Sequence, residues 1–204
     1  LDAPYGRLGC VIMASGLGKR FGGGKLLAEL HGKPLLQYAL DATGGLFARR
    51  VVVTRDLAAA ALCQAQGVET VLHDLPSRSD TVRLGLAALT APGEPPLAGC
   101  LFCPADQPLL RRETVASLAL GAACAPGPIW RPAWQGQPGA PVLFPAWTFA
   151  ELASLPEGQG GGAVVRRWPG RVRCIPAACP AELQDVDRRE DLAQLERSAD
   201  KYYT

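Results

Sequence analysis

Apolar residues gather in short unbroken runs, each closed by glycine or a charged turn. "LGCVIMA" (8–14), "RRVVVTR" (49–55), "VETVLHD" (68–74) and "GCLFC" (99–103) are rich in β-branched and apolar residues and read as buried strands. Between them lie stretches of helical periodicity. "KPLLQYALDATGG" has Pro34 at its start and Gly44 at its end. "DLAAAALCQAQG" has Asp56 as candidate N-cap and Gly67 as stop. "SDTVRLGLAAL" is expected to be capped by Ser79 or Asp80, and "RRETVASLALGAA" is the fourth helix. Four alternations of strand and helix predict an α/β fold, a Rossmann-like α/β/α sandwich with a mostly parallel central sheet. Ligands of such sheets bind beyond the carboxyl ends of the strands, which singles out the loops at 14–25, 73–81 and 104–110.

After residue 125 the pattern loosens. "APGPIWRPAWQGQPGAPVLFPAW" is rich in Pro, Gly and Trp, with strand-like pieces at 128–133 and 141–144. A helix at "PAWTFAELASL", a loop at "PEGQGGG", a short helix at "AVVRRW", a strand at "RVRCIPA", and an acidic loop and helix at "DVDRREDLAQLE" follow. No linker-like stretch or repeat interrupts the chain, so 1–204 is read as one domain, with loose termini at 1–7 and 197–204.

The 204 residues suffice for one α/β core, and 48% apolar with 20% charged residues is ordinary globular composition. A net charge of +2 is too mild to predict nucleic-acid binding. No stretch approaches the roughly 18 apolar residues of a membrane span, and no signal peptide is evident. The chain starts at Leu1 rather than Met, as trimming from something longer would leave it. Seven cysteines without framework spacing suit a reduced, cytoplasmic protein. Cys100 and Cys103 form a CxxC. Residues three apart on a strand face opposite ways, so the pair is expected to pack in the core rather than share a metal.

The chemistry-bearing stretch is "MASGLGKRFGGGKLL" (13–27), with five glycines and three cations in fifteen residues. Main-chain amides of Ala14, Ser15, Gly16, Leu17 and Gly18, at an expected strand-to-helix turn, would form an anion nest, with charge from Lys19, Arg20 and Lys25. The loop is neither a Walker A motif nor a dinucleotide fingerprint. Arg20 follows Gly18-Lys19 and Leu26 follows Gly24-Lys25, where Walker A needs Ser or Thr. Phe21 stands where the fingerprint needs its third glycine. A phosphate-bearing ligand, a nucleoside triphosphate foremost, is the expectation, with a flexible surface loop as the plain alternative. Asp106, in "CPADQPLL" after the fourth strand, lies on the same rim. An NTP reacts as its magnesium complex, and Mg²⁺ asks for one or two carboxylates plus phosphate oxygens. An Asx turn that only shapes the loop is the plain alternative. His31 and His73 fit no triad, and no G-x-S-x-G elbow exists.

"MASGLGKRFGGGKLL" followed by "GKPLL" resembles the opening of the nucleotidyltransferases that share the nucleotide-diphospho-sugar transferase fold. Within them it is most similar to the molybdenum cofactor cytidylyltransferase and guanylyltransferase group, which opens on L-A-A-G-x-S-x-R-M-G-x-x-K-L-L. Arg20 and Lys25 match that group's cations. Ser15 takes its second Ala position, and Phe21 replaces its Met. "CPADQPLL" matches the group's A-D-Q-P, which implies that Asp106 binds the metal. "DVDRREDL" resembles its D-I-D-T-P-E-D-L. That implies Asp187, or Asp185, as second ligand, although Arg188-Arg189 stand in place of Thr-Pro and Asp187 would also serve as a helix cap with Glu190.

The resemblance further places Ser79, Asp80 and Thr81 on a serine run that contacts base or ribose. Helix capping is an equal reading of that segment. "GQPGAPVLFP" resembles G-x-x-G-H-P-V-L-F, keeping Gly139 but placing Ala140 where the group has His. "LPEGQGGGAVVRR" resembles G-D-x-G-A-R, with Gly160 and Gly161 as candidates for holding an acceptor's phosphate and a mobile loop as an equal reading. The resemblance thus implies a Mg²⁺-dependent transfer of CMP from CTP to a molybdopterin-type acceptor, with a molybdenum hydroxylase apoenzyme as a possible downstream partner. A sugar or polyol phosphate acceptor, and a non-catalytic carrier of a finished dinucleotide, stand beside it.

Overall fold

The computed structural model describes residues 4–197; the outer parts of the termini expected to be loose, 1–3 and 198–204, lie outside the described residues. The chain runs β1 (Leu8–Ala14), a 3-10 turn at Lys25–Leu27, a small hairpin of β2 (Glu29–Leu30) and β3 (Lys33–Pro34), then α1 (Leu35–Thr43). Next come β4 (Arg49–Thr54), α2 (Leu57–Ala65), β5 (Glu69–Leu72), α3 (Arg78–Leu89), β6 (Gly99–Pro104) and α4 (Arg112–Cys124). The second half contributes β7 (Ile129–Trp134), β8 (Gln137–Pro138), β9 (Val142–Pro145), α5 (Phe149–Ala153), α6 (Gly162–Arg167), β10 (Val172–Pro176) and α7 (Arg189–Arg197).

The main sheet has the order β10-β7-β9-β6-β1-β4-β5, with β8 paired to β7. β1, β4, β5 and β6 pair in parallel, as do β7 and β10, while β9 runs antiparallel between β6 and β7. The result is the expected three-layer α/β architecture. On one face, Cys10, Ile12, Val52 and Cys103 meet Leu36 and Leu40 of α1, Cys63 of α2 and Leu118 of α4. On the other, Val11, Val53, Cys100 and Phe144 meet Val82 and Leu86 of α3, Leu152 of α5 and Val164 of α6. Cys100 and Cys103 thus point into opposite layers, as strand alternation requires. Burial pushes the Cys103 thiol up to about 12, so both act as small apolar side chains.

Two expectations need correction. No α-helix follows the glycine loop directly: α1 begins only at Leu35, after the hairpin, so no helix dipole backs the loop. The reason is the run Gly22-Gly23-Gly24, whose φ angles of 87°, 90° and 63° are closed to helix and easy only for glycine. The cap of α3 is neither Ser79 nor Asp80 but Ser77. Its hydroxyl accepts the Ser79 N–H at 3.3 Å, while Asp80 Oδ2 accepts the Ser77 N–H at 3.0 Å, a reciprocal capping box.

α3 crosses the sheet at Gly85. A Cβ there would lie 2.5 Å from Val11 Cγ1 and 3.1 Å from Val53 Cγ2, so only glycine lets the helix sit this close. Gly85→Ala is expected to lower unfolding stability by about 1–3 kcal/mol in a urea melt, because the overlap outweighs the gain in helix propensity. An unchanged or raised midpoint would contradict this packing.

Candidate functional site

β1, β4, β5 and β6 end on one rim, and a cleft of about 1020 Å³ opens there. Ser15, Gly16, Leu17, Gly18, Arg20 and Lys25 line it from the loop after β1. Among the described residues, the amides of Ser15, Gly16, Leu17 and Gly18 make no hydrogen bond, so they are available to an anion without help from a helix. Ala14 is part of β1 and lines only a smaller neighbouring pocket. The loop is pinned at both ends. Ser15 Oγ donates to Val53 O at 3.1 Å, which makes His73 Nε2 the donor in their 2.7 Å contact. Desolvation, with the charge of Arg55 adding to it, holds the His73 pKa below its ordinary value. At the other end the amides of Phe21, Gly22 and Gly23 all donate to Gly18 O.

The acidic residues face this loop across the cleft. Lys25 Nζ lies 2.5 Å from Asp106 Oδ2 and 3.8 Å from Asp187 Oδ1, and Arg20 Nη1 lies 3.0 Å from Asp187 Oδ2. The Lys25 side chain is only 9% exposed. The closing segment is tied down independently: the Val186 N–H donates to Asp106 O at 2.9 Å, and Gln107 Nε2 donates to Asp185 Oδ1 at 2.9 Å. Capping of α7 falls to Asp191, whose Oδ2 accepts the Asp187 and Arg188 N–H groups, which leaves the Asp187 carboxylate to Arg20 and Lys25.

The donor set fits a hard divalent cation. Asp106, Asp185 and Asp187 all line the cleft. The Asp185 pKa is raised, first by desolvation and then by the charge of Asp106, with Asp187 adding to it. Gln107 Oε1 is buried without a partner. Crowded carboxylate oxygens, one of them held above its ordinary pKa by burial and by its neighbours, are what a divalent ion relieves. Among the described residues no group of three or more His, Cys, Asp or Glu side chains could hold a metal by itself. Phosphate oxygens would complete the coordination, as Mg²⁺ prefers.

The remaining expected residues divide. Thr81 lines the cleft and is buried. Ser79 is 1% exposed and does not line it; its hydroxyl contacts Ser77 Oγ at 2.8 Å, and it belongs to the helix start rather than to the ligand wall. Gly139, Gly160 and Gly161 all line the far part of the cleft.

Besides Gln107, which holds Asp185, the sequence analysis missed three residues. Arg189, in place of the group's Pro, donates from Nε to Phe21 O at 3.1 Å, and its guanidinium lies 4.8 Å from the centre of the Phe21 ring. Arg131 lines the cleft from β7. Glu182 is fully buried beneath the acidic segment. Its carboxylate accepts from Thr114 Oγ1 at 2.5 Å and from the Ala178 N–H at 2.8 Å, with Arg111 Nε 3.8 Å away. Nothing near Glu182 in sequence signals this, because its partners lie mostly on the start of α4.

Residues 10–172 match the MobA-like NTP transferase domain. The chain belongs to that family. A 93-residue stretch is 36% identical to a 3-deoxy-manno-octulosonate cytidylyltransferase of Neisseria meningitidis serogroup A. The stretch covers 45% of this chain and 36% of that relative, so the match spans about a third of the relative's length. Among solved structures, Rv0371c of Mycobacterium tuberculosis H37Rv superposes with a TM-score of 0.78 at 24% identity, over 94% of this chain and 99% of its own. Rv0371c has also been solved in complex with manganese, with a TM-score of 0.69 at 22% identity over 94% of this chain and 99% of that one. A CMP-2-keto-3-deoxy-manno-octonic acid synthetase complexed with CTP gives 0.73 at 16% identity, over 96% and 99% of the two chains. These likenesses give the nucleotide-diphospho-sugar transferase fold.

Glu182→Ala leaves Thr114, Ala178 and Arg111 without their acceptor. It is expected to lower stability by about 3 kcal/mol in a urea melt, the cost of stranding donors around a lost buried charge. A loss below about 0.5 kcal/mol, the scale of a surface change, would contradict the anchoring role.

Proposed function

We propose that this MobA-like domain is a divalent-metal-dependent cytidylyltransferase. It moves CMP from CTP to a sugar- or polyol-type acceptor that carries an anionic group. The observation that carries the reading is the meeting of Lys25 and Arg20 with Asp106 and Asp187 at the mouth of a loop with unbonded amides. CTP as donor is supported by the cytidylyltransferase relative and by the CTP complex of a structural neighbour, whose acceptors are sugar acids by name. A divalent ion is supported by the carboxylate set and by the manganese complex of Rv0371c.

In this reading the amides of Ser15 to Gly18 hold the triphosphate. Lys25 and Arg20 leave their carboxylates and move onto phosphate oxygens, where they neutralise the charge that builds on the leaving pyrophosphate. Asp106, with Asp187 or Asp185, would hold Mg²⁺, which supplies charge neutralisation between the phosphates when bound. An acceptor oxygen forms a bond to the α-phosphorus while the bond to the β-phosphate bridge breaks and pyrophosphate leaves. No covalent enzyme intermediate is needed, so the protein acts by positioning and electrostatics. Thr81 lies on the cleft wall where base or ribose would sit; Ser79 acts only through the α3 start. Gly139, Gly160 and Gly161 form the acceptor side.

A molybdopterin-type acceptor is the second reading. It is favoured by the order of motifs from "MASGLGKRFGGGKLL" and "GKPLL" through "CPADQPLL" to "DVDRREDL". Pyrophosphate release with CTP, Mg²⁺ and either a sugar acid, a sugar phosphate or molybdopterin separates the acceptors. Lys25→Met and Asp106→Asn are each expected to lower the rate by roughly 10²–10³-fold, the loss seen when one preorganised charge is removed, and chelation of the metal is expected to abolish it. Nucleotide binding without pyrophosphate release for any acceptor would sink the enzyme reading and leave a carrier of a finished dinucleotide.

A further inference from the structure

Behind the glycine loop lies a histidine that the proposed mechanism leaves unused. His73 directly follows β5, and it does not line the cleft, whereas Ser15 does. Its main-chain N–H donates to Thr54 O at 3.1 Å, and its Nε2 donates to Ser15 Oγ at 2.7 Å. The Ser15 hydroxyl in turn donates to Val53 O at 3.1 Å, and Thr54 Oγ1 donates to Ala14 O at 3.0 Å. The first residue of the amide run is therefore tied to the ends of β4 and β5 through one imidazole. The group that the opening motif resembles has Ala at the Ser15 position, so the hydroxyl that makes this tie is a departure of this chain.

Ser15 and His73 are not a nucleophile and its base. The hydroxyl proton is committed to a carbonyl. His73 Nδ1 is buried without a hydrogen-bond partner among the described residues, so no carboxylate orients the ring. That unpaired nitrogen is the informative feature. A proton placed on it would set a full positive charge directly behind amides that make no hydrogen bond of their own. The charged groups that face the ring are Arg55 from the end of β4, Asp74 beside it in the chain and Asp80 from α3. Asp80 is already engaged with Arg83 and the Ser77 N–H, and Arg55 is held nearby by donating to Asp74 O at 3.0 Å. Desolvation, and then Arg55, keep the ring of the free protein neutral near pH 7. A polyanion seated on the Ser15 amide shifts that balance towards the charged ring.

We infer that His73 is a positioning residue for the triphosphate loop, tying its first amides in place through Ser15 and taking a proton from solvent onto Nδ1 when a polyphosphate binds. This rests on the reading of that loop as a triphosphate site. By linkage, affinity rises as pH falls through the value at which the ring of the bound protein titrates, and the gain levels off below the value for the free ring. Protons released where carboxylates take a metal act in the opposite direction. They are common to the wild type and His73→Gln, so the histidine contribution is the difference between the two. The Gln amide can still donate to Ser15 Oγ but takes no charge.

The chain has two histidines, so both can be followed in one proton NMR titration of the wild type, free and with magnesium tripolyphosphate or magnesium CTP. His31 lies on the turn between β2 and β3 with a positive φ that Asn tolerates, so His31→Asn assigns the signals without touching the loop. The His73 midpoint is expected to rise by about one pH unit with either ligand, the low end of what a close opposite charge does, while His31 stays in place. Calorimetry in two buffers of different ionisation enthalpy, at a pH midway between the free and bound midpoints, is expected to show about half a proton more taken up by the wild type than by His73→Gln. A raised midpoint with tripolyphosphate but no binding of CTP would sink the nucleotidyltransferase reading and leave the role of His73 standing. CTP binding with an unmoved His73 midpoint, or with equal proton counts in the two proteins, would overturn that role and leave the reading standing. Binding of neither ligand would overturn both.

Discussion

The buried ammonium of Lys25 is the constraint on which the site depends. An amine taken this far out of water is costly unless carboxylates meet it, and Asp106 and Asp187 both do, at 2.5 and 3.8 Å. Those two come from segments about eighty residues apart in sequence, so the pair sews the loop after β1 to the loop after β6 and to the closing segment. Neighbouring contacts follow the same seam. Arg20 takes the other Asp187 oxygen, Val186 donates to Asp106 O, and Arg189 holds the carbonyl and ring of Phe21. Beneath them Phe21, Leu30, Leu35 and Val186 form a small apolar cluster of their own, with Leu192 and Leu195 of α7 packed against it. The free protein therefore presents a charge-balanced cluster. On the proposed function, a metal-bound triphosphate would bind by exchange, taking the cations onto its phosphates and the carboxylates onto its metal.

On the proposed function, the same exchange would let the glycine loop hold a triphosphate without a helix behind it. A helix N-terminus would supply a partial positive charge. Here the full charges of Lys25 and Arg20 would take that part, and the three consecutive positive-φ glycines let the chain turn back quickly enough to place Lys25 beneath its own loop. Positive φ at Gly18, with a would-be Cβ 3.1 Å from Lys25 Cβ, keeps that turn tight.

What the amino-acid pattern disclosed was local or periodic. The strands at 8–14, 49–55 and 99–103, the Pro34 and Gly44 limits of α1, the Asp56 cap of α2 and the opposed Cys100 and Cys103 all follow from spacing within a few residues. The misses have two physical origins. One is competition among adjacent polar residues: Ser77, Ser79 and Asp80 are all able caps, and the reciprocal bond from Ser77 N–H to Asp80 decides the start of α3. The other is long-range pairing. Glu182, Gln107 and Arg189 acquire their roles from partners far along the chain, on α4, on the acidic segment and at Phe21. Arg131 stood in an irregular Trp-rich stretch with no motif around it, and only the sheet places it in the cleft.

The central claim is that the glycine loop and Asp106 together receive a metal-bound nucleoside triphosphate. The most direct measurement is a thermal-shift panel of the four NTPs, each with and without Mg²⁺, on the wild type and Asp106→Asn. At about one hundred times its Kd a ligand adds roughly 2.7 kcal/mol of stability, which is readily visible as a rise in Tm. The expected result is a rise with CTP that requires Mg²⁺ and shrinks in Asp106→Asn. No rise with any NTP, or a rise indifferent to both Mg²⁺ and Asp106, would contradict the claim.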